Sequence, residues 1–99
     1  MAVQMTKADR IVQITQAGLQ LADRCGLANV TLTRLASELD IDHPLIIYHC
    51  GSINKVKTAI SQAAVENGND KVVYQAVMLG LLQESELPQR FRKFYQQMK

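Results

Sequence analysis

The sequence predicts an all-α domain of about six helices. Three observations carry that expectation. Apolar residues recur at steps of three and four, Gly, Asn and Pro fall between those runs, and no run alternates as a half-buried strand would. Composition agrees: the chain has 99 residues, 47% of them hydrophobic, with no Trp, two Pro and five Gly. A chain of this length supports one hydrophobic core. So few aromatic and turn residues suit packed helices better than a sandwich or barrel of short strands.

The first helix is expected to begin near Lys7, with Ile11, Ile14, Gly18, Leu21 and Cys25 on one face and Gly26 as its stop. Thr31 is placed to cap a second helix whose apolar stripe is Leu32, Leu35, Ala36 and Leu39. Asp40-Ile41-Asp42 breaks that pattern, and Asp40 tolerates a left-handed backbone better than most residues with a side chain. Asp42 then reads as the cap of a short third helix from Pro44 to about Cys50, since proline fits a helix's first turn. Gly51 ends it. Ser52 caps a fourth helix with Val56, Ala59, Ile60, Ala63 and Ala64 on its inner face. Asn67-Gly68-Asn69-Asp70 is the clearest loop. The run Val72–Leu82 follows, apolar nearly all round, which predicts a helix buried in its own domain or against a partner. Pro88 opens a last helix carrying Phe91, Phe94, Tyr95 and Met98 on one face, with Arg90, Arg92 and Lys93 around it. Residues 1–66 thus form a head including the fourth helix. Residues 67–99 form a helical segment that completes the core and pairs two copies, with Val73, Val77, Leu81, Phe91, Phe94 and Tyr95 expected at the dimer interface.

Bulk properties exclude more than they select. The formal net charge is +2, so any case for a polyanion partner must come from a motif. No apolar run approaches the ~18–20 residues a bilayer requires, and Met1–Arg10 lacks a signal-peptide core. The expected setting is the cytoplasm of a bacterium, or a phage or plasmid gene expressed there. Cys25 and Cys50 lack metal-ligand spacing and are expected as free thiols. No nucleophile–base–orienter set, P-loop or carboxylate pair suggests an enzyme, and no cofactor, metal or small-molecule ligand is expected.

The informative segment is Thr31–Cys50, which has the dimensions of a helix-turn-helix. Its residues Leu32-Thr33-Arg34-Leu35-Ala36-Ser37-Glu38-Leu39-Asp40-Ile41-Asp42-His43-Pro44, then Tyr48-His49-Cys50-Gly51-Ser52, resemble the N-terminal DNA-binding domain of TetR-type repressors. The similarity runs ungapped from about Arg10 to Ile60. It implies a three-helix head whose third helix enters the DNA major groove, followed by a helix leading to a dimerising body. It assigns Thr31, Thr33 and Arg34 to the start of the supporting helix, near phosphates. It assigns His43, Pro44 and Leu45 to the base-facing tip and Tyr48 and His49 to the later turn; Asp42, Ser52 and Lys55 beside them are also expected to contact DNA.

The chain departs from the family pattern where Leu45, Ile47 and Ile53 replace a small residue, a phosphate-touching aromatic and a lysine. Lys7, Arg10, Lys55 and Lys57 are the cations able to compensate. The resulting expectation is a homodimeric regulator, acting as a repressor on a pseudo-palindromic double-stranded operator. The rival expectation is a helical protein-interaction module, a partner or antagonist of another regulator, supported by those apolar replacements.

Overall fold

Most helix starts in this protein are made by a side chain of the residue just before the helix. The Thr6 hydroxyl accepts the Asp9 N–H at 3.1 Å, and the Asp9 carboxylate accepts the Thr6 N–H at 3.3 Å. That reciprocal box opens α1, Lys7–Cys25, which Gly26 closes with φ 94°. The computed structural model describes residues 6–83, 85, 87–89 and 91. Among these it contains five α-helices and one short 3-10 turn, with no strand. The 3-10 turn, Leu27–Asn29, follows Gly26 and was not anticipated from the sequence.

Thr31 caps α2, Leu32–Leu39, by accepting the Arg34 N–H at 3.1 Å. Asp40 ends it in the left-handed conformation, φ 54° and ψ 48°, as its residue type suggested. Helix α3 spans His43–Cys50, with Pro44 in its first turn and Gly51 beyond its end. Here the sequence reading needs correction. Asp42 occupies the capping position, but its side chain makes no capping hydrogen bond. Instead its backbone carbonyl accepts the Leu45 N–H at 3.1 Å. Ser52 caps α4, Ile53–Asn67, by accepting the Lys55 N–H at 3.2 Å. The 67–70 loop turns at Gly68, φ 71°, and Asn69 caps α5, Asp70–Met78.

The apolar run 72–82 is not one helix. Helix α5 stops at Met78, and Gly80 turns the chain with φ 78°, so that the Leu81 N–H returns to the Ala76 carbonyl at 2.9 Å. An apolar surround hid this stop, because the glycine carried no polar neighbours to mark a loop. Of the last expected helix, Gln89 and Phe91 are helical, and the Phe91 N–H donates to the Pro88 carbonyl at 3.0 Å. Arg90, Arg92, Lys93, Phe94, Tyr95 and Met98 lie outside the described residues.

One buried cluster joins all five helices, with Ile14, Leu27, Val30, Leu35, Ile46, Val56, Ile60 and Val72 among its members. Helices α1 and α4 form its spine. They come close at Gly18, where an added Cβ would overlap Ile60 Cδ1 and stand 2.8 Å from Ile60 Cγ1. Helix α5 is tied to the far end of α1 by polar contacts. Gln75 Oε1 accepts the Leu27 N–H at 2.8 Å, and Lys71 Nζ donates to the Asp23 carbonyl at 2.8 Å. Val73 and Phe91, expected at a dimer interface, are instead inside the protein's own core, at 2% and 1% exposure. The run is apolar because it closes this core. Val77 and Leu81 are half-buried against the same cluster. No helix among the described residues is long and apolar enough to cross a membrane.

Candidate nucleic-acid interface

Helices α2 and α3 each rest on the core through a single fully buried side chain, Leu35 and Ile46. With one anchor apiece, both helices keep most of their surface outside. The three-residue turn Asp40–Asp42 between them is closed by the Ile41 N–H, which donates to the Ala36 carbonyl at 3.1 Å. A helix, a three-residue turn and a second short helix therefore follow one another over residues 32–50.

The candidate contact residues divide by exposure. Thr31, Thr33 and Arg34 are exposed along the first turn of α2, and Asp42, His43 and Pro44 are exposed at the start of α3. Tyr48 is the most exposed large hydrophobic side chain of α3, at 68%. Leu45 and His49 are half-buried, and the His49 Nδ1 atom is sealed from solvent without a hydrogen-bond partner. Two expected contacts are engaged locally. The Ser52 hydroxyl holds the start of α4, and the Lys55 side chain lies back over Gly51, so close that a Cβ there would meet Lys55 Cδ at 2.9 Å. The Lys55 ammonium therefore sits by the C-terminal end of α3, where unpaired carbonyls favour a cation. Ile47, at a position where the family resemblance implies a phosphate-touching aromatic, is 36% exposed, and Ile53 is half-buried against the core.

Sequence reasoning missed two features of this surface. Arg24 pairs with Glu38 at 2.8 Å and links the end of α1 to the end of α2, flanking a shallow groove of about 430 Å³ lined also by Leu21, Cys25, Thr33, Arg34 and Ser37. Both partners are substantially exposed, so the pair contributes ~0–1 kcal/mol and chiefly sets register. The second is a contact between α1 and α3: the Lys7 ammonium lies 5.0 Å from the Tyr48 ring centroid. Neither pair is visible as a spacing, because the partners are distant in the chain. Burial pushes the half-buried Cys50 thiol above its ordinary range. Both cysteines are free thiols.

The chain matches no family model, no curated protein and no solved structure.

Proposed function

We propose that the chain is a sequence-specific DNA-binding transcription regulator, a homodimeric repressor that reads a pseudo-palindromic operator with α3. The observation that carries this reading is that the first turns of α2 and α3 are both exposed, on two helices that pack against each other. Residues at the N-terminal end of a helix in this position reach base edges, while the neighbouring helix meets the backbone. In this reading His43 donates to a purine acceptor, Pro44 packs on a thymine methyl, and Thr31, Thr33 and Arg34 hold phosphates. A low net charge makes placement of these few cations decisive. The family resemblance of residues 10–60 supports the same reading.

The homodimer component draws support from other residues of the 72–82 run than the ones expected at the interface. Met78 and Leu79 are 62% and 47% exposed beside Leu27, Ala28 and Tyr74, an apolar hollow of about 280 Å³. Sedimentation of the intact chain at micromolar concentration tests it; a monomer would overturn this component.

Fluorescence anisotropy against fragments of genomic DNA, including the gene's own promoter, tests the reading as a whole. The expected result is salt-sensitive binding to one fragment above the rest, lost at least tenfold in the Arg34→Ala, His43→Ala double variant. Absence of binding to any duplex at low salt would overturn it. A second reading, a protein-interaction module built on the same scaffold, is favoured by the exposure of Ile47 next to Tyr48 on α3. It predicts a stable complex with another helical regulator and no DNA affinity.

A further inference from the structure

A cation stands at the start of α1. Lys7 is the first residue of that helix, directly after the capping Thr6. The positive end of a helix disfavours a cation, and acidic residues such as Asp9 are the local preference there. A lysine at this position is a local cost, and a rule broken locally marks a place where something else is gained. The structure shows part of the gain: the ammonium stands over the face of Tyr48, whose ring is itself 68% exposed on the outer side of α3. The ring thus holds a charge from another helix at the edge of the base-reading surface.

We propose that Lys7 and Tyr48 act as one clamp for a DNA backbone phosphate at the outer side of α3. The inference rests on the DNA-binding reading above. The ammonium takes a phosphate oxygen, the phenol hydroxyl donates to the same strand, and the ring fixes the otherwise mobile lysine so that little side-chain freedom is lost on binding. Because α1 is a 19-residue helix packed along α4, the clamp also sets the orientation of α3 relative to the duplex. The contact is to the backbone, so it strengthens binding to every sequence alike.

Anisotropy titrations with a labelled mixed-sequence duplex, from about 50 to about 200 mM KCl, test the clamp. Lys7→Gln is expected to weaken binding about 3–10-fold at low salt and to reduce the slope of log K against log salt by about 0.9, the value of one phosphate. Tyr48→Ala should cost a similar factor, and the double variant should be no worse than the weaker single one. Tyr48→Phe should keep the salt slope. In the free protein, the Lys7 side-chain proton resonances should carry a ring-current shift that Tyr48→Ala abolishes and Tyr48→Phe retains. Wild-type binding with an unchanged slope in Lys7→Gln, or additive losses in the double variant, would overturn the clamp while leaving DNA binding intact. No binding by the wild-type chain would overturn both.

Discussion

Helices α1 and α4 bury several residues each, whereas α2 and α3 each bury one side chain fully and lay only partly buried residues against the core around it. Helix α1 buries six residues and α4 five, including Ser61, whose hydroxyl satisfies itself on the Lys57 carbonyl at 2.7 Å. Helices α2 and α3 bury only Leu35 and Ile46. The difference separates what keeps the chain folded from what is free to meet a partner. A helix with one fully buried side chain keeps half of its residues exposed, but it leans heavily on that anchor for its position.

The largest effects should therefore come from the two anchors. Leu35→Ala and Ile46→Ala each remove a fully buried side chain and leave a cavity, at an expected cost of about 2–5 kcal/mol. A domain of this size holds ~5–15 kcal/mol in all. Urea denaturation followed by circular dichroism should show a clearly lower midpoint for both variants. The comparison would break if either cost less than about 1 kcal/mol, because the helix would then be held by something other than its single buried residue.

A smaller but sharper effect is expected on the spine. Gly18→Ala gains about 1 kcal/mol of helix propensity, yet its methyl would collide with the side chain of Ile60, which is fully buried and must shift within the core. The net expectation is a loss of about 1–3 kcal/mol. Thermal melting checks the sign. A neutral or stabilising result would mean that α1 and α4 can part slightly, and that the spine is less rigid than the contact implies.

The spine and the outer pair were legible in the sequence to different degrees. Helix boundaries at Thr31, Gly26, Gly51 and Ser52 follow from residues whose chemistry acts locally, and so does the left-handed turn at Asp40. The inner faces of α1 and α4 follow from their spacing. What the chain order conceals is which apolar residue meets which. Val73 is apolar for the sake of the protein's own core, while Met78 and Leu79, five and six positions later, are exposed, and period alone does not separate them. Likewise Lys7 and Tyr48 meet only because α1 lies beside α3, a fact of tertiary packing. Side-chain commitments are hidden for the same reason: Ser52 and Lys55 look free in the sequence and are engaged at the α3–α4 corner in the structure.

The smallest expected effect lies at the boundary between the two regions. Cys50 ends α3 and is half-buried against the core, and burial raises its thiol pKa. A thiol held protonated in the folded chain ionises more readily once unfolded. The associated stability is therefore fully present below the unfolded thiol's pKa and declines as pH rises from there through the folded value. Stability curves for the wild type and Cys50→Ala should diverge only on that alkaline side, the wild type falling more steeply, and alkylation of Cys50 should be slower than that of an unfolded thiol. A parallel pair of curves would place Cys50 in solvent and leave α3 with Ile46 as its entire attachment. A divergence of the expected sign would show that the end of α3 shares in the core. The outer pair would then be tethered at its centre and shielded at its far end, leaving its N-terminal turn as the part exposed for contact.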